Sequence, residues 1–194
     1  MIMKGLGSQV EKVWQGLRPM TKKIIVGALQ KNQPFSKQSY DIHSDWELSQ
    51  LLKVLDEQLS KKETKRNKRK LTEIKKIAET CANVLQAQTE SAEVFIQLVE
   101  RALKHKDYQK VEAICQILNE RFSAGEVCEI IRQTDNPAIR ALAYESLCLF
   151  PTASLAQLVD DPLYADIVKN ALEVQAFDYE SEEAQEILSQ LEES

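Results

Sequence analysis

Apolar residues recur along this chain at three- and four-residue intervals, in one short segment after another, and the breaks between segments carry helix-starting chemistry. That spacing lays one stripe along a helix and alternates on neither face of a strand. Val10, Val13, Trp14 and Leu17 form the first such stripe, which ends where Pro19 drives Arg18 out of the α region. A second short helix is expected from Pro19 to Gln30. From Ser91 onward the expected helices are roughly 91–104, 107–122, 124–133, 137–149, 153–159, 162–176 and 182–192. Asp107 is placed to cap the second of these and Ser123-Ala-Gly-Glu126 reads as a capping box, while Asn136-Pro137 and Asp161-Pro162 each set a cap before a first-turn proline. Helices this short do not persist alone in water. They have to stack, and the stack expected is one of antiparallel hairpins.

Gly and Pro number only five each among 194 residues, which opposes a β-rich or disordered chain. Between the first two helices and the rest, Gln33 to His43 holds Pro34, two serines and no periodicity. It reads as a connector, so the expected division is an amphipathic appendage at 1–43 and a helical domain at 44–194 that ends in an acidic helix. Ser44-Asp-Trp-Glu47 has the capping-box pattern and predicts a helix start at Ser44. Leu48, Leu51, Leu52, Leu55 and Leu59 follow on one face. The basic run at 61–76 is expected to lead into a longer helix reaching about Ala87, in which Leu71, Ile74, Ala78, Cys81 and Leu85 keep a 3, 4, 3, 4 spacing. Two heptads favour an antiparallel hairpin over a coiled coil.

Charge is divided along the chain. Residues 1–80 hold 17 Lys/Arg and 9 Asp/Glu, net +8, whereas 81–194 hold 8 and 21, net −13. Nine basic residues and two acids fall within Lys61 to Lys76, and seven acids with no Lys or Arg fall within Asp178 to Ser194. The basic run, above all Lys65, Arg66, Lys68, Arg69 and Lys70, is the candidate binding segment for an acidic protein face or a polyanion. Its bland alternative is a solvated helix face or an exposed turn. No aromatic residue is interleaved, so nucleic-acid contact there would be with phosphate and not by base stacking. An anionic membrane surface would attract the same residues.

Catalytic signatures are missing from the sequence: no phosphate-binding glycine loop, no Gly-x-Ser-x-Gly elbow, no metal-binding histidine pair. Neither CxxC nor HxxxH occurs, so no metal or other cofactor is expected, and no enzymatic activity. The four cysteines (Cys81, Cys115, Cys128, Cys148) lie far apart among apolar neighbours, which suits small buried hydrophobes in a reducing, cytoplasmic setting. The longest apolar stretch, Ile24 to Leu29, is far short of a membrane span. The N-terminal excess of Lys is Arg-poor and lacks a cleavage-site pattern, so no targeting peptide is expected. Trp14, Phe35, Tyr40 and Trp46 are candidate aromatic anchors for a partner, their bland alternative being that they staple the N-terminal segment to the domain.

The segment Thr134-Asp-Asn-Pro-Ala-Ile-Arg-Ala-Leu-Ala-Tyr-Glu-Ser-Leu147 resembles the HEAT-like repeat, whose helix opens with Asp-x-Pro-x-Val-Arg. Asp135, Pro137, Ile139, Arg140, Ala143 and Leu147 carry the match. A second start at Asp160-Asp161-Pro162, with Val168, Ala171 and Leu172, lacks the repeat arginine because position 165 is Ala. The resemblance covers about residues 123–176 and implies an α-solenoid-type stack acting as a binding surface or scaffold, although a minority of HEAT-like proteins are chromophore lyases or enzyme subunits. HKDYQKVEAICQIL, just before it, suits a HEAT-like or a tetratricopeptide-type hairpin equally. The function expected is therefore a noncatalytic interaction module or scaffold within a larger assembly, with another protein as partner; nucleic acid or an anionic surface is the alternative.

Overall fold

A computed structural model describes residues 3–30 and 40–192. Every regular element among them is a helix, twelve in all, and they divide into two compact units, Met1–Thr89 and Glu90–Ser194. The 43/44 division expected from the connector falls inside the first unit.

In that unit α1 (Ser8–Gly16) and α2 (Pro19–Leu29) precede α3 (Ile42–Ser60), α4 (Lys62–Arg66) and α5 (Lys68–Gln88). Pro19 opens α2 after an extended Arg18, as the proline rule requires. α3 and α5 form the central pair. They run antiparallel: the Cys81 thiol donates to the Leu48 carbonyl, and farther along the Thr89 hydroxyl donates to Asp45. Leu48, Leu51, Leu52 and Leu55 face Ile74, Ile77, Ala78, Cys81 and Leu85 in a core from which water is excluded. Each buried Leu or Ile contributes about 1.5–3 kcal/mol relative to exposure. α1 packs on α3, and α2 on α5 and α3, using Val10, Ile24 and Ile25.

Two expectations change here. α3 begins two residues before Ser44, with Asp41 as its cap, the carboxylate accepting from the Ser44 amide at 2.8 Å. Ser44 and Glu47 are consequently buried within the helix, and Glu47 serves another purpose. The basic run is also divided: α4 is a separate turn and a half, and Asn67 breaks the chain before capping α5 through the Lys70 amide at 3.1 Å.

The second unit contains α6 (Ala92–Lys104), α7 (Tyr108–Arg121), α8 (Ala124–Gln133), α9 (Pro137–Leu147), α10 (Thr152–Ala156), α11 (Ala165–Phe177) and α12 (Glu182–Glu192). α6 packs on α7 and α8, α7 and α8 on α9, and α11 on α12 and α10. Phe95 and Phe122 meet edge to face at 5.8 Å, with Leu98, Ile114, Leu118, Val127 and Cys128 around them in the core. Asp107, Ser123 and Asn136 cap α7, α8 and α9 through the amides of Lys110, Glu126 and Ala138. Glu126 does not complete a capping box; its carboxylate accepts from the Ala92 amide at 3.2 Å and joins the starts of α6 and α8. Asp161-Pro162 does not start a helix. Asp161 accepts from the Leu163 amide in a turn, and α11 begins only at Ala165.

No helix of the described residues is long and apolar enough to cross a membrane, and no group of three or more His, Cys, Asp or Glu among them could hold a metal ion.

Candidate functional site

The basic run falls on Lys61, α4 and the first three turns of α5. Lys61, Lys62, Lys65, Arg66, Lys68, Arg69, Lys75 and Lys76 are exposed and Lys70 is half-buried. Among the described residues none of the nine stands in an ion pair. Lys68, Arg69, Thr72, Glu73 and Lys76 border an open depression on α5.

The placement of these cations opposes the helix they sit on. Lys68, Arg69 and Lys70 occupy the first turn of α5, which has no acid there. A helix N-terminus carries the positive end of the macrodipole, so each cation costs roughly 0.3–1 kcal/mol against the acid that stability alone would select. Lys65 and Arg66, by contrast, fall in the last turn of α4, where the dipole favours a cation, so the opposition is confined to the start of α5.

A buried peg holds the face in place. Thr64 is the single buried residue of α4, 1% exposed, and its hydroxyl accepts from the Gln58 amide at 2.8 Å. Gln58 in turn lies against Gly7, where a Cβ would come within 2.7 Å of Oε1; Gly7 also has φ 141°, a conformation that only glycine adopts without strain. The loop before α1 therefore lies close against the Gln58 side chain that reaches Thr64.

The aromatic candidates separate. Trp46 is 62% exposed and stands with Ile42 (76%) one turn apart on α3. Trp14 is half-buried on α1. Tyr40 is half-buried with its hydroxyl donating to Asp45, and burial followed by the Asp45 charge pushes its pKa well above the usual phenol value. Tyr40 is thus tied to the start of the helix that follows it. Phe35 lies outside the described residues. Trp46 sits about 20 Å from the cationic end of α3 at 1.5 Å per residue, so the two features are not one site.

Beside Trp46 is a polar clasp that sequence reasoning missed. Glu47 accepts from the Arg18 amide (3.0 Å), the Arg18 Nε (3.3 Å) and the Thr21 hydroxyl. The Arg18 guanidinium also forks onto Asp41 at 2.7 and 2.9 Å. Burial works against the charged form of Glu47, but hydrogen bonds from Thr21 and Arg18 prevail and hold its pKa below the ordinary value; Asp41, hydrogen-bonded by Arg18 and Ser44, is lowered as well. The clasp joins the α1–α2 corner to the start of α3. Its only sequence signal is an arginine at a helix junction.

Five exposed apolar residues of the second unit were also missed: Tyr108 (68%), Leu149 (64%), Leu163 (58%), Phe177 (75%) and Tyr179 (55%). Phe177 lies just past the helix expected at 162–176, whereas α11 runs to Phe177. Compared with known proteins, the chain matches no family model, no curated protein and no solved structure.

Proposed function

We propose that this protein is a noncatalytic interaction module, one subunit of a larger assembly, that engages an acidic face of a partner protein through α4 and the start of α5. The observation that carries this reading is the unpaired, exposed cation cluster set against the α5 dipole. Such an arrangement loses stability in the free protein and regains it when an anionic surface arrives. In the second unit, packing of α6 on α8 and α7 on α9 supports a HEAT-like stack of antiparallel hairpins, an architecture suited to scaffolding. Four free cysteines, three of them buried, fit a reducing cytoplasmic setting.

The test is capture of the tagged protein from its native lysate, with and without nuclease, beside the variant Lys65→Glu, Arg66→Glu, Lys68→Glu, Arg69→Glu, Lys70→Glu. The charge reversal places acids favourably at the start of α5 and unfavourably at the end of α4, and matching circular dichroism melts establish that the variant is folded. A stoichiometric, nuclease-resistant protein that is lost with the charge reversal is the expected result. A protein partner retained by the variant refutes the role of this face. Material lost both to nuclease and to the charge reversal establishes the second reading, phosphate-directed nucleic-acid binding, which the density of cations favours.

A further inference from the structure

The basic run contains one exposed hydroxyl, and its surroundings set it apart. Thr72 is exposed in the second turn of α5, and its hydroxyl donates to the Lys68 carbonyl at 2.9 Å. On a helix surface the neighbours of a side chain lie three and four residues away. For Thr72 they are Lys68, Arg69, Lys75 and Lys76, all exposed. Lys68, Arg69 and Lys76 border the same depression as Thr72, with Glu73 as its one acid. The other exposed serines and threonines among the described residues are Ser8, Ser60, Ser123 and Ser189. Each of these has a glutamate three residues away: Glu11, Glu57, Glu126 and Glu186.

Nothing in the helix asks for a threonine here. Asn67 supplies the α5 cap, Ile74, Ile77 and Ala78 supply the buried face, and a β-branched Thr is a poorer helix former than the Lys, Arg or Gln that an exposed position admits. A protein kinase directed by basic residues selects its acceptor by the charges placed just before it. Lys68, Arg69 and Lys70 stand four, three and two positions before Thr72. To enter a kinase cleft the acceptor has to leave the helix. Thr72 lies four residues from the start of α5, where three cations oppose the dipole, so the turn that has to open is a weakened one.

We infer that Thr72 is a phosphorylation site for a basic-directed protein kinase, and that its phosphate switches off the binding proposed above for the cationic face, the reading on which this second clause rests. The Thr72 Oγ attacks the γ-phosphorus of ATP, the bond to the β-phosphate oxygen breaks, ADP leaves, and the hydroxyl proton passes to the kinase's carboxylate base. Phosphothreonine carries about −2 charge and three acceptor oxygens, and Lys68, Arg69, Lys75 and Lys76 lie within helical reach of it. The run Lys61 to Lys76, with nine basic residues and two acids, falls from net +7 to about +5, and four of its cations turn to the new anion.

The full chain is incubated with radiolabelled ATP, Mg²⁺ and the catalytic subunit of the cyclic-AMP-dependent protein kinase, and the phosphate is mapped by mass spectrometry. Thr72 should take the label; Thr72→Val should remove it and Thr72→Ser should keep it. The five-glutamate variant of the basic run, which inverts the charges before the acceptor, should be labelled about tenfold or more slowly. Binding to a fluorescein-labelled polyglutamate peptide, followed by anisotropy, should weaken about fivefold or more on phosphorylation and recover after phosphatase treatment. Matching circular dichroism melts establish that the variants are folded. Phosphate confined to other residues, or a parent labelled no faster than Thr72→Val, overturns the assignment of Thr72 and leaves the interaction reading in place. Label on Thr72 with undiminished polyglutamate binding overturns the switch alone. An unphosphorylated parent that binds no polyglutamate overturns the interaction reading and the switch with it, while label on Thr72 still supports the acceptor.

Discussion

Replacing Glu47 by Ala tests whether the clasp holds the first two helices to α3. Glu47 retains 9% of its side-chain exposure and accepts three hydrogen bonds, two from Arg18 and one from Thr21, which is fully buried. The Arg18 guanidinium keeps Asp41, so its charge is not orphaned. The Thr21 hydroxyl loses its acceptor, and stranding a buried donor costs about 1–3 kcal/mol, whereas the half-buried Arg18 amide turns to water at little cost. The expected loss is about 2 kcal/mol. Thr21→Val, which removes one donor and keeps the carboxylate occupied by Arg18, should cost about 1 kcal/mol, and the double variant should lose less than the sum of the two. Both tryptophans of the chain, Trp14 and Trp46, lie in the first unit, so urea unfolding followed by tryptophan fluorescence reports on that unit. Folding lowers the pKa of Glu47 and of Asp41, so the stability they contribute is present above the ordinary carboxylate pKa and is lost as pH falls through the folded values. The parent should weaken on acidification more steeply than Glu47→Ala. A loss under about 0.5 kcal/mol, or additive single variants, would mean that solvent already screens the clasp.

Gly7→Ala should cost about 2 kcal/mol, from backbone strain at positive φ and from displacement of Gln58; hydrogen exchange should quicken across 62–66, and unchanged exchange there would show that Gly7 does not support α4. The cysteines should differ in their reaction with a thiol reagent at pH 8. Cys115 is partly exposed with its pKa pushed up to about 11, first by burial, and should react slowly; Cys128, buried and pushed up to about 12 for the same leading reason, should wait for unfolding, as should the buried Cys81 and Cys148. Fast modification of all four in the native protein would contradict the packing.

What the sequence reveals follows from how local each decision is. Asp107, Ser123 and Asn136 cap the helices they precede because a cap needs only its own chain two or three residues on. Asp41 and Ser44 offer the same three-residue pattern that Ser44 and Glu47 offer, and the choice is made by Arg18 and Thr21, 29 and 26 residues upstream of Glu47. Asp161 has cap chemistry as well, but it closes a turn on Leu163 while the following Tyr164 reaches back to hydrogen-bond Glu129 of α8 at 3.1 Å. Of the candidate surfaces, the cationic one is readable because charge is written residue by residue. Its support is not: Thr64, Gln58 and Gly7 are unremarkable apart and meaningful only together. Phe177 and Tyr179 have the composition of core residues, and their exposure depends on where α11 stops.

The peg at Thr64 has a thermodynamic consequence. Because α4 and the start of α5 are already ordered in the free chain, a partner meets cations fixed in space, and little backbone entropy remains to be lost on association. Capture through this face should therefore release counterions without burying much apolar area, giving a steep dependence on salt and a heat-capacity change near zero. A segment that folded only on contact would show a large negative heat-capacity change instead.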